Sequence, residues 1–152
     1  MSKIVRLQAW LAGLWAGMIV GVGAISAPSL FAVLEKTQAG QGAGRIFSVE
    51  AKVSLAVAMV LFMIERRRVR DQAEAQGGGT LGMTTQLLLV LGALFLTVFG
   101  QFALHPMIEA AKQGQPTPLS FGALHGISAS MFWLKGVLVL ALAWRLTARP
   151  AA

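Results

Sequence analysis

An all-α integral membrane four-helix bundle is the fold class this sequence predicts, and three observations predict it. The composition is 56% hydrophobic with only 12% charged residues, where soluble domains average about 45–50% apolar and about 25% charged. Mean hydropathy is +0.69. Four apolar runs each approach or exceed the roughly 18–20 residues that cross a bilayer. A chain of 152 residues is one domain by length.

The absence of cysteine excludes disulfides, thiolate metal sites and thiol catalysis. The formal charge of +7 sits beside the ends of the apolar runs, where lipid headgroups and topology account for it. The partner implied is the lipid bilayer rather than nucleic acid.

The first run spans about 7–34, after Lys3 and Arg6. A signal peptide has an apolar core of only about 7–15 residues, and this run is much longer, so a retained helix is expected. Gly13, Gly17 and Gly21 fall four apart on one face, which predicts close helix packing. Pro28 should kink the last turns.

Glu35 to Gly44 is polar and glycine-rich and predicts a loop. The second span covers about 45–65, carries Glu50 and Lys52 early, and ends at Glu65 before Arg66, Arg67, Arg68 and Arg70. Residues 66–80 read as a mobile cytoplasmic loop. The third span, about 81–105, stops at His105 and Pro106, with Met107 to Lys112 able to continue as a helical turn. A turn over Gln113 to Pro118 leads into the fourth span, about 119–146.

Basic residues give the orientation. Lys3, Arg6, Arg66, Arg67, Arg68, Arg70, Arg145 and Arg149 fall at one end, against Lys36, Arg45 and Lys112 at the other. The positive-inside rule then places both termini in the cytoplasm. Trp10 and Trp144 sit near that interface as anchors. Short loops and an even number of spans predict an up-and-down bundle.

This topology gathers Pro28, Glu50, His105 and His125 toward the outer ends of their helices. Thr97, Gln101 and His105 recur every fourth residue and share a helix face, with Gln86 further along the same side. Phe121, His125, Ser128, Phe132 and Lys135 share another face, while Gly122, Gly126 and Ser130 form a separate small-residue ridge. Unpaired polar groups in hydrocarbon cost several kcal/mol, so both polar stripes should point inward.

Lys135 is the costliest, being about 16 Å from the inner end of its helix. It calls for a carboxylate partner, a water-filled cavity or a lowered pKa; Glu50, the one carboxylate well inside an apolar run, is the candidate partner, although its place nearer the outer face disfavours the pair. Singly, each polar residue has a structural reading. Gln86, Thr97 and Gln101 suit interhelical hydrogen bonds, and Glu50 and Lys52 suit the headgroup zone. His105 suits a helix end, and His125 a bond to Gln101 or Ser128. Together, His105 and His125 at one depth are a candidate metal or haem pair.

The segments WLAGLWAGMIVGVGAISAPSLFAVL, AGQGAGRIFSVEA, FALHPMIEAAK and FGALHGISASMF, in this order, resemble the bacterial relatives of the transmembrane protein 205 family. Those proteins are grouped as a domain of unknown function. The resemblance covers about residues 7–146 and implies a small multi-pass membrane protein without an established activity. It carries over to Pro28, Phe31, Gly44, Phe47, Glu50, His105, Pro106, His125 and Gly126. A more distant likeness to four-helix copper-resistance and haem-pathway membrane proteins would favour haem.

Three functions follow as expectations. The first is a non-enzymatic bacterial inner-membrane protein with an outward-side polar pocket of Glu50, Gln101, His105, His125, Ser128 and Lys135, serving a ligand or a membrane partner. The second is a b-type haem or metal protein ligated by His105 and His125. The third is a proton-coupled transporter using Glu50 and Lys135, which needs homo-oligomers formed along the glycine ridges. No phosphate-binding, nucleophile-elbow or zinc-hydrolase motif is present.

Overall fold

The computed structural model describes residues 3–78 and 82–148, and among these every regular element is helical. Four helices are long and apolar enough to cross a membrane. They are α1 (Lys3–Val33), α2 (Lys36–Ala75), α3 (Thr85–Lys112) and α4 (Phe121–Thr147). Each packs on its neighbour in sequence, and α1 packs on α4, which closes the bundle. Of the basic residues expected near the termini, Arg149 lies outside the described residues, as do Thr80 and Leu81.

The core is built from Trp15, Ile19, Leu61, Val90, Val139 and Leu142, interleaved with the small Ala12, Ala16, Ala58 and Ala93. Large apolar side chains such as Leu14, Phe95, Phe102 and Val137 point outward instead. That arrangement suits a hydrocarbon surround, in which small residues let backbones approach and bulky ones meet lipid. Trp10 and Trp144 are likewise exposed.

Two stretches expected as loops are helical. Residues 36–44 form the start of α2. Ala39 and Ala43 are buried there, and a Cβ on Gly42 would meet Leu30 Cδ1 at 3.3 Å. Gly42 serves close approach to the end of α1, and the glycines here do not break the helix. Residues 66–75, expected as a mobile loop, extend α2. That stretch lacks Gly and Pro, is made largely of good helix formers, and is anchored by buried Val69. The helix stops where Gly77 (φ 89) and Gly78 (φ 82) turn left-handed.

Prolines are absorbed rather than ending their helices. A π-helical segment over Gly21–Ser26 precedes Pro28, and another over Gly100–Leu104 precedes Pro106. A proline ring crowds the carbonyl four residues back. Those carbonyls belong to Ala24 and Phe102, and the wider π turn moves them away from the ring. Consequently α3 runs through His105 and Pro106 to Lys112 instead of stopping there. Side-chain caps start the last two helices: Thr84 Oγ1 accepts from Leu87 N at 3.1 Å, and Ser120 Oγ accepts from Ala123 N at 3.2 Å.

The glycine ridges do not pack within the chain. A Cβ on Gly13, Gly17, Gly21, Gly122 or Gly126 would meet nothing within 4 Å, so the expected close contacts at these positions are absent among the described residues. The glycines that matter for packing lie elsewhere. A Cβ on Gly23 would meet Phe132 Cε1 at 2.6 Å, and one on Gly136 would meet Ile19 Cγ2 at 3.3 Å. Helical periodicity shows which residues share a face but not which face turns inward. Here the faces bearing Trp15, Ile19 and Leu124 turn inward.

Candidate functional site

At the end of the bundle opposite the termini, all four helices enclose a cavity of about 430 Å³. Both π segments border it, through Gly23 on α1 and Gly100 and Gln101 on α3. Such segments widen a helix locally and recur at functional sites. The polar lining comes from three helices. Glu50 is on α2, Gln101 and His105 are on α3, and His125, Ser128 and Lys135 are on α4. Of the positions carried over by resemblance, Pro28, Phe31, Gly44, Phe47, Glu50, His105 and His125 line the same space, whereas Pro106 and Gly126 do not.

The floor is a hydrogen-bonded chain across three helices. The Trp15 indole N–H donates to Ser54 Oγ at 2.7 Å, and the Ser54 hydroxyl donates to Glu50 Oε1. Lys135 Nζ donates to both carboxylate oxygens of Glu50, at 2.7 and 2.8 Å. The pairing that depth argued against is therefore present. The reason is the earlier start of α2. Glu50 lies fourteen residues past Lys36, and Lys135 fourteen past Phe121, so both sit about 21 Å along their helices. Glu50 is thus buried inside the bundle rather than standing near a helix end. Lys135 Nζ also lies 5.0 Å from the Phe132 ring centroid, within cation–π range.

Higher in the cavity several polar groups have no hydrogen-bond partner in the protein. Among the described residues, the side chains of Gln101, His105, His125 and Ser128 make no hydrogen bond to the chain. Thr97 is different: its hydroxyl donates to Ala93 O at 2.8 Å within its own helix, so it does not bridge helices as expected. The His125 ring stacks on Phe121, with centroids 5.9 Å apart and planes 16° from parallel. At the mouth, Lys112 Nζ donates to Glu109 Oε1 at 2.7 Å. Although His105 and His125 share the cavity, no group of three His, Asp or Glu residues placed to hold a metal ion occurs among the described residues.

A second polar cluster lies at the terminal end. Glu65 is buried and accepts from Gln8 Nε2 at 3.1 Å, Thr84 Oγ1 at 2.8 Å and Arg68 Nε at 3.0 Å, with a further bond from Arg68 Nη2. It ties α1 and the start of α3 to α2. This cluster was not singled out in the sequence, where Glu65 reads as the polar end of a span. Its signal was the stripe Glu50, Ser54, Ala58, Leu61, Glu65 and Val69, whose three-and-four spacing places all six on one buried face.

The profile of a domain of unknown function (DUF4149) matches residues 10–116. No curated protein and no solved structure matches the chain.

Proposed function

The chain belongs to the family of that domain of unknown function, DUF4149, and from this premise we propose a non-enzymatic membrane protein that binds a small ligand in the cavity opposite its termini. One observation carries this reading. Six polar side chains from three helices converge on one space, and four of them have hydrogen-bonding capacity unused by the protein. Gln101, His105 and Ser128 are half-buried and His125 is exposed along the cavity wall, so their polar atoms are accessible to a ligand, and in an apolar surround a ligand that pairs them gains hydrogen bonds the chain does not supply. The volume falls within the roughly 300–1,000 Å³ of small-molecule sites.

Both termini are cytoplasmic in this proposal, since the basic residues crowd the terminal end. The cavity then opens on the outer side of a bacterial inner membrane. Kinship to the transmembrane protein 205 relatives belongs to the same proposal. Native mass spectrometry of protein extracted in mild detergent tests the ligand reading. The expected result is a small molecule that co-purifies with the wild type and is lost from Gln101→Leu; chains free of bound small molecules would contradict it.

Haem is the second reading, favoured by the two histidines that reach one cavity from α3 and α4. It requires a Soret band in the purified protein that disappears in both His105→Ala and His125→Ala. Colourless protein removes it.

A further inference from the structure

Both ion pairs that border the cavity are closed on themselves. Lys135 spends two hydrogen bonds on Glu50 at the floor, and Lys112 is bonded to Glu109 at the mouth. Every lysine and carboxylate lining the cavity thus already has an ion-pair partner, the buried Glu50 with Lys135 and the half-exposed Glu109 with Lys112, so a neutral ligand binds without breaking a pair. Among the described residues, the polar lining groups without a hydrogen bond to the chain are the Gln101 amide, two imidazoles and the Ser48 and Ser128 hydroxyls. Each presents an N–H or O–H to a ligand acceptor.

The rest of the wall is aromatic. Phe47 stands edge-on to Phe132 at 5.0 Å, and Phe132 edge-on to Trp133 at 5.7 Å. The His125 and Phe121 rings stack nearly parallel beside them. Rings of this kind favour another ring by offset or edge contact. At the rim, Phe31 and Phe121 are about half exposed, which leaves an apolar way out between α1 and α4.

We propose that the ligand is a neutral membrane lipid with a flat ring head bearing carbonyl acceptors, the chemistry of a quinone. The carbonyls accept from Gln101 and the imidazoles, the ring lies among Phe47, Phe132 and Trp133, and the tail leaves past Phe31 and Phe121. This assignment rests on the cavity being a ligand site.

A decyl-tailed benzoquinone is the probe, with decanoate, decyltrimethylammonium and decanol as equal-tail comparators, titrated against the full chain in nanodiscs. The quinone should raise the melting temperature saturably and quench tryptophan fluorescence, with the quenching reduced in Trp133→Phe. Gln101→Leu and His105→Leu should each weaken its binding about tenfold, the loss of one hydrogen bond, with circular dichroism showing that both variants are folded. Saturable binding of decanoate or the ammonium as tight as the quinone, and equally sensitive to Gln101→Leu, would overturn the ligand class while keeping a cavity that binds. A quinone effect that never saturates, or that decanol reproduces, would overturn the assignment. Small molecules found by native mass spectrometry would then decide the cavity separately.

Discussion

The Lys135 ammonium and the Glu50 carboxylate, from different helices, meet deep inside the bundle with both carboxylate oxygens engaged, at 2.7 and 2.8 Å. Neither side chain is more than 5% exposed. Breaking a buried pair leaves one charge uncompensated and typically costs about 3–5 kcal/mol. Lys135→Met and Glu50→Gln should each lower the denaturation midpoint sharply. The double variant Glu50→Leu with Lys135→Met should recover much of the loss. Melting of all three in detergent checks this, and additive losses in the double variant would show that the two groups act independently.

Ser54 and Trp15 extend the same chain by one neutral hydrogen bond. Trp15→Phe removes the indole donor and also part of a buried ring system, so the bond's roughly 1 kcal/mol is joined by a cavity cost, and the total is expected to stay below the effect of Glu50→Gln. Equilibrium unfolding separates the two sizes.

Glu65 and Glu74 lie on the same helix with opposite consequences. Gln8, Arg68 and Thr84 all donate to Glu65, whereas Glu74 stands 3.8 Å from Arg70 with both side chains mostly exposed. Exposed pairs contribute little. Glu65→Gln should therefore destabilise the fold clearly and Glu74→Gln hardly at all, as thermal melts would report.

Gly23 is the most tightly packed glycine among the described residues. An added methyl would press on Phe132 at 2.6 Å, and overpacking typically costs about 1–3 kcal/mol. Gly23→Ala should lower the melting temperature, while Gly13→Ala and Gly122→Ala, which face open space, should not. A loss at Gly13 or Gly122 that appears only above a threshold protein concentration would instead mark those faces as contacts between copies.

Much of this was legible in the sequence because membrane crossing is a matter of length and apolarity, and polar spacing along a helix fixes a shared face. Gln101 with His105, and His125 with Ser128 and Lys135, could be grouped on that basis, and all five line the cavity. What could not be read depends on neighbours. Glycines at 40, 42 and 44 look like loop residues until Leu30 is packed against Gly42. That mistake hid the early start of α2 and made Glu50 look too shallow to meet Lys135. Pro106 reads as a helix end because the π turn that accommodates it has no distinct composition.

The central claim is that these polar side chains share a cavity reached from the end opposite the termini. The chain has no cysteine, so single cysteines report position directly. Ser128→Cys lies on the cavity wall and Ala58→Cys in the core. A membrane-impermeant methanethiosulfonate reagent added outside intact cells should label the first and not the second. Labelling of Ser128→Cys only after the reagent reaches the cytoplasmic side, or no labelling from either side, would contradict the account.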